Sequence, residues 1–277
     1  MRKFVRELLI ACLFVSFAGA ASAEVVGVLS RLNVSPEEFQ TFLAGKLPDE
    51  VRSSVLRTKT SDVSCRFYDS LITMQMALLA GEIDSIYLPE CVAEYLLGAN
   101  PKYEVRGFML RNYWTGLSLG FREDSSSLRD RVDKALSAMA RDGELGLLVR
   151  RHISGPEAKT QTPVAFEKFD DAETLKVAVT GDMPPIDYLA ADGTPAGFNT
   201  AVLAELGRRL RLNIETVNME SGARAAALAS KRVDCVFWFE VFLGNGPQWD
   251  IPDGILLSET YYGWNKDLFI GVDDEKK

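Results

Sequence analysis

The chain has 277 residues, 31 Lys+Arg against 39 Asp+Glu for a formal net charge of −8, and 47% hydrophobic residues. That acidity works against nucleic acid or acidic membrane surfaces as partners, and the apolar content excludes a disordered chain. The length suits two modest α/β domains or one large one.

Arg2, Lys3 and Arg6 precede an apolar stretch from Leu8 to Ala20 and the small-residue triplet Ala21-Ser22-Ala23. This is the pattern of a secretory signal over residues 1–23, cleaved before Glu24, and it places the mature chain in the periplasm. The stretch is short for a bilayer span, and no later segment is long and uncharged enough to be one. Cys12 follows Leu9-Ile10-Ala11, a faint lipoprotein box, but too few apolar residues precede it. Cleavage removes three basic residues and one acidic one, leaving 28 Lys+Arg against 38 Asp+Glu, a net −10. Cys65, Cys91 and Cys235 remain, an odd number without metal-like spacing, and read as buried or free thiols.

Val25 to Leu29 reads as a short buried strand. Ser35-Pro36-Glu37-Glu38 is a capping box with proline at the first helical position, opening a helix that stops at Gly45. A strand over 65–68 leads through Asp69-Ser70, an N-cap, into a helix over 71–80, which Gly81 ends before a strand over 83–88. Strands alternating with helices predict a parallel sheet. Residues 114–121 look extended, and Ser127 caps a helix carrying Leu128, Val132, Ala135, Leu136 and Met139 at helical spacing. Residues 154–172, rich in Pro, Thr, Gly and charge, read as a linker. Leu175, Val177 and Val179 alternate in a new strand, Asp192-Gly193 marks a turn, Phe198, Val202, Leu206 and Leu210 share one helix face, and 214–217 is another strand.

An internal echo recurs at a separation of 150 residues. Leu78, Ile83, Asp84 and Glu90 have the spacing of Leu228, Val233, Asp234 and Glu240. In each copy a helix ends, an aliphatic-Asp pair starts a strand, and a glutamate lies just past the strand's carboxyl end. Two such α/β lobes would present strand ends to one cleft, where open parallel sheets bind ligands.

These residues bring the chain to a family resemblance. Thr180-Gly181-Asp182-Met183-Pro184-Pro185-Ile186-Asp187-Tyr188, the turn Asp192 to Phe198 and Ser258-Glu259-Thr260-Tyr261-Tyr262 resemble the opening half of the bacterial extracellular solute-binding proteins of family 3. Tyr68-Asp69-Ser70, the run Leu78 to Asp84, Ala93 to Leu97 and Asp142-Gly143-Glu144-Leu145 resemble its closing half, which here comes first. The resemblance implies the type II periplasmic-binding-protein fold in circularly permuted order: a two-lobed α/β protein, each lobe a mostly parallel sheet flanked by helices. Lobe two covers 24–112 with a crossover at 268–277, and lobe one covers 113–267 with the linker 154–172 inside it.

The resemblance also implies a small solute held between the lobes, capture for an ABC-type membrane transporter, and a monomer without cofactor. A freely diffusing sensor for a membrane receptor is the alternative partner. The family commonly holds amino acids with a lobe-one arginine and a lobe-two aspartate, yet no arginine occurs between Val233 and Lys277, and Pro89 stands where the aspartate would fall. A standard α-amino acid is therefore not the expected ligand. The stretch from Glu240 to Leu257 is also longer than usual, with a loop at 244–247.

The expected ligand-binding residues are Asp182, Trp238, Phe239, Glu240, Glu90, Tyr68, Arg31 and Trp114. Trp238, Phe239, Glu240 and Glu90 lie near strand ends, where aromatic faces and carboxylates suit a cation or planar ring. Phe237 reads as sheet core, and Trp238 admits either role. Asp182 fits a cleft edge or a loop-stabilising carboxylate. Arg31, in the loop before the capped helix, could help seize an anion, though a solvent-facing arginine accounts for it as well. Trp114 sits where the chain should cross between lobes. His152 is the only histidine, and no nucleophile elbow, metal-ligand cluster or phosphate loop accompanies it, so no enzyme is expected. A dehydratase-like alternative would use Glu90 and Glu240 as acid and base across a closed cleft.

Overall fold

The computed structural model describes residues 24–30, 34–46, 63–155, 158, 163–244, 246, 249–273 and 275. Residues 1–23, read from the sequence as a secretory signal, and Arg31 lie outside the described residues. No described helix is long and apolar enough to cross a membrane.

The first half runs β1 (Glu24–Leu29), α1 (Pro36–Lys46), β2 (Val63–Tyr68), α2 (Leu71–Ala80), β3 (Ser85–Pro89) and α3 (Glu90–Ala99). The capping box forms reciprocally: Ser35 N donates to Glu38 Oε2 at 2.9 Å, and Glu38 N donates to Ser35 Oγ at 3.2 Å. Ser70 caps α2 by accepting from Thr73 N, and Gly81 closes it in the left-handed conformation at φ 74°. Next comes β4 (Tyr103–Arg122), an unbroken strand of 20 residues. Only its second part has a legible pattern. In its first part Arg111 is buried while Phe108 and Leu110 are exposed, so polarity does not report burial there.

The second half runs α4 (Ser126–Arg141), α5 (Glu144–Val149), β5 (Thr174–Val179), the small strands β6 (Asp182–Met183), β7 (Asp187–Leu189) and β8 (Pro195–Ala196), α6 (Phe198–Leu210), β9 (Asn213–Asn218), α7 (Arg224–Ala229), β10 (Cys235–Leu243), β11 (Ile255–Leu257) and β12 (Tyr262–Val272). A single 3-10 turn at Glu123–Ser125 leads into α4, so its N-cap is Ser125 and not Ser127. The described end of the stretch read as a linker is packed: Val164 and Phe166 rest on the core, and Phe169 N donates to Asn213 Oδ1.

Nine strands form one continuous sheet in the order β2-β1-β3-β12-β4-β10-β5-β9, with β11 on β4. It consists of two half-sheets with the same plan. In the first, β2, β1 and β3 are parallel and β12 runs antiparallel beside β3, followed by the first part of β4. In the second, β9, β5 and β10 are parallel and the last part of β4 runs antiparallel beside β10, followed by β11. The strands β4 and β12 pair with each other and pass through both halves.

The echo has a physical basis. Asp84 Oδ2 accepts from Val25 N at 2.8 Å while its own N–H donates to Val25 O. Asp234 repeats this with Lys176, its Oδ2 accepting from Lys176 N at 2.8 Å and its N–H donating to Lys176 O. Each aspartate pins the entry of a third strand to a first strand, which needs a short carboxylate at that one position.

The largest apolar cluster joins the halves, taking Leu71, Met74, Ile86 and Val92 from one and Val132, Val177, Val202 and Phe237 from the other. The opposite face of the first half-sheet carries a separate cluster around Phe39, Phe42, Leu43, Tyr87 and Phe269. The helices α1 and α2 therefore cover opposite faces, as right-handed crossovers in opposite directions require.

Candidate functional site

Parallel strands end together, so the carboxyl ends of β2, β3, β5, β9 and β10 set the chemistry of the seam between the halves. At the end of β2 the Ser70 hydroxyl occupies Thr73 N, and Leu71 N remains available as a donor at the start of α2. From the other half, β5 ends in Thr180-Gly181-Asp182. Gly181 has φ 71°, and a Cβ there would come within 2.6 Å of the Asn218 side chain. The bare turn brings Asp182 across the seam, where its Oδ2 accepts from Leu71 N at 2.7 Å. A carboxylate at a helix N-terminus is stabilised by the unsatisfied donors there. Burial still pushes the Asp182 carboxyl above its ordinary value, and the bond from Leu71 opposes that. Two further contacts bridge the seam: Ser221 N donates to Asp69 O at 3.4 Å, and the Tyr95 and Tyr188 rings lie 6.3 Å apart.

Behind Asp182 lie buried charges. Arg224, 2% exposed at the start of α7, donates to Phe237 O and to Ser221 Oγ, and its Nε has no partner among the described residues. Burial pulls its guanidinium down to about 10, against the fields of Asp187, Asp182 and Glu240. Asp187 accepts from Thr180 N and Oγ1 at 3.0 and 3.2 Å, yet burial pushes its carboxyl up to about 6. Glu240 is 7% exposed and lies within electrostatic reach of Arg224 and of a second buried guanidinium, Arg111.

Arg111 belongs to a cluster on the crossing strands. It pairs with Asp267, which also accepts from the Tyr87 hydroxyl and from Trp264 Nε1 at 2.8 Å. Arg111 Nε and Nη2 are buried without hydrogen-bond partners among the described residues. Pro89 faces Asp267 directly in the ladder between β3 and β12. A carboxylate thus stands one strand away from the place where the resemblance implies one.

The structure brings together only part of the expected set. Asp182 and Glu240 join the charged seam, and Tyr68, at the end of β2, has a buried hydroxyl without a partner among the described residues. Glu90 stands apart: its Oε1 receives Lys266 Nζ at 2.5 Å, and both side chains are about a third exposed. Lys266 and Asp267 are adjacent on a strand and face opposite ways, so Glu90 and the Arg111 cluster lie on opposite sides of the sheet. The dehydratase-like pairing of Glu90 with Glu240 gains no support from this arrangement. Trp114, alternating with buried Arg111 and Tyr113, is 53% exposed and is not among these charges. The side chains of Trp238 and Phe239, like Arg31, lie outside the described residues, and Phe237 is core.

Arg111, Arg224 and Asp267 were missed by the sequence reading. Arg111 and Arg224 fall outside the 233–277 window, and folding brings them to Glu240 from β4 and α7. No disulfide joins Cys65, Cys91 or Cys235 among the described residues. Among the described residues, no group of three or more His, Cys, Asp or Glu side chains is arranged to hold a metal.

Among solved structures, the ligand-binding component of an ABC-type import system from Staphylococcus aureus, with zinc bound, is similar over 92% of this chain and 68% of its own, at 9% identity and a TM-score of 0.43. The alkanesulfonate-binding protein SsuA from Xanthomonas axonopodis pv. citri, bound to MOPS, is similar over 91% of this chain and 66% of its own, at 10% identity and a TM-score of 0.42. The GluR0 ligand-binding core complex with L-glutamate is similar over 92% of this chain and 87% of its own, at 13% identity and a TM-score of 0.42. No curated protein matches the chain. Residues 175–238, the run from β5 into β10, match the sequence model of the bacterial extracellular solute-binding proteins, family 3, the family that 173–263 resembles.

Proposed function

We propose that the protein captures a small solute carrying a positive group in the seam between its half-sheets, outside the cytoplasm, and delivers it to an ABC-type membrane transporter. The observation that carries this reading is the convergence of strand ends from both halves on one line of buried charge. Along it lie four carboxylates, Asp182, Asp187, Glu240 and Asp267, against two guanidiniums, Arg111 and Arg224. The excess of carboxylates favours a cation, since a charge leaving water needs an opposite charge of fixed position. The Tyr68 hydroxyl and Arg224 Nε, unpartnered among the described residues, offer donors to an acceptor on the same solute.

On this reading the halves correspond to the two lobes of a permuted family fold, 24–112 and 113–267. Their bending about β4 and β12 is what a transporter senses. The Asp182 bridge to α2 is then the contact that a bound solute replaces or joins, and ligand affinity for the closed form drives closure.

A melting-temperature screen against polyamines, amino acids, organic anions and aromatic metabolites tests this directly. A cationic binder raises the melting temperature with concentration, by about 2.7 kcal/mol of stability at 100 times its Kd, and is recovered unchanged. Stabilisation by anions alone, with none by amines or amino acids, rejects the reading.

A further inference from the structure

The stretch after Glu240 reaches from the second half to the first. β10 does not stop at the seam but continues along β4 until Leu243 lies opposite Trp114, and the chain then returns to the second half as β11. At the far point of this excursion Phe242 and Trp249 leave their own half and pack on α1 of the first. Trp249 lies 6.0 Å from Phe39 and 5.6 Å from Phe42, Phe242 lies 5.8 Å from Phe42, and Phe242 and Trp249 are 4.3 Å apart. Tyr113, on one of the crossing strands, closes the group at 5.3 Å from Phe242. Gly246 fits beneath it because a Cβ would come within 2.5 Å of Phe242 and 2.9 Å of Tyr113.

The crossing strands β4 and β12 alone form a two-stranded ribbon, and such a hinge bends through small changes in a few backbone angles. We infer that Phe242 and Trp249 anchor a strap that restrains this hinge, so that the two half-sheets separate only slightly in the absence of solute. The strap lies on the α1 face and the Asp182 bridge on the α2 face. Bending that draws β10 away from α1 breaks an aromatic cluster whose members have no comparable partner in water. The strap therefore favours a closed or nearly closed unliganded protein, whatever solute the seam accepts.

Small-angle scattering of the unliganded full chain, with no solute present, tests the strap separately from the binding reading. Wild type should give a radius of gyration matching the closed arrangement. Trp249→Ala should shift it upward and broaden the distance distribution, and Trp249→Phe should restore the compact value. If Trp249→Ala loses its cooperative melt, the milder Phe242→Leu decides, with a smaller upward shift expected. A folded Trp249→Ala or Phe242→Leu protein with an unchanged radius, or a wild type already expanded, overturns the inference.

Discussion

Two of the contacts between the half-sheets have opposite chemistry. On the α2 face the bridge is one carboxylate on one backbone N–H, backed by titratable groups. On the α1 face it is a set of aromatic rings from α1, β4, β10 and the residues after it. A hydrogen bond can be exchanged for another with a solute at little net change, whereas an apolar cluster cannot find an equivalent partner in solution. The comparison assigns exchange to the face with Asp182 and restraint to the face with Trp249.

The largest expected effect lies on the apolar side. Phe39 is 1% exposed and touches Phe42, Phe67, Tyr87 and Trp249. Phe39→Ala should cost about 3–5 kcal/mol in urea unfolding, nearly independent of pH and salt. A cost below about 1 kcal/mol would mean that the cluster is loosely packed and restrains nothing.

The polar side should instead respond to pH. Burial holds the Asp187 carboxyl at about 6 in the folded protein, above about 3.9 in the unfolded chain. The native state therefore binds this proton more tightly. The resulting stability is fully present below about pH 4 and is lost as pH rises through about 6, a change of about 3 kcal/mol at most. Asp187→Asn should flatten that part of the stability curve. Identical slopes in wild type and variant would show that Asp187 is not the titrating group.

Smaller effects should follow at the bridge and at the surface. Asp182→Asn should cost about 1 kcal/mol and speed hydrogen exchange at Leu71 N while leaving α1 unchanged. Equal protection of Leu71 in both proteins would remove the bridge. Glu90→Gln loses a partly exposed ion pair to Lys266, and should cost less than about 1 kcal/mol, with the difference vanishing in high salt.

Local signals in the sequence were legible because they act locally. The Ser35–Glu38 box, the Ser70 cap with Gly81, and the helix over 198–210 each depend on neighbours within a few residues. The paired aspartates at 84 and 234 were visible because each half repeats one strand entry. What stayed hidden depends on distant partners. Arg111 looks like a surface residue until β12 supplies Asp267, and Arg224 looks like one until β10 covers it. The first part of β4 puts its charge inside and Phe108 and Leu110 outside, so its pattern could not be read. The seat of the 240–257 stretch on α1 needed the fold. Of the expected site, Asp182 was legible as a carboxylate after a strand end, whereas Glu240, expected just past its strand, lies inside β10 opposite Leu117, and Glu90, which does follow a strand end, is paired to Lys266.

The claim that a positive solute is held by buried carboxylates in the seam meets its most direct test in calorimetry. The best amine from the melting screen would be titrated into wild type, Glu240→Gln and, as a distant exposed control, Glu82→Gln. The expected result is a Kd at least about tenfold weaker for Glu240→Gln, a loss of about 1.4 kcal/mol, with Glu82→Gln equal to wild type. The same Kd in all three proteins would contradict the account.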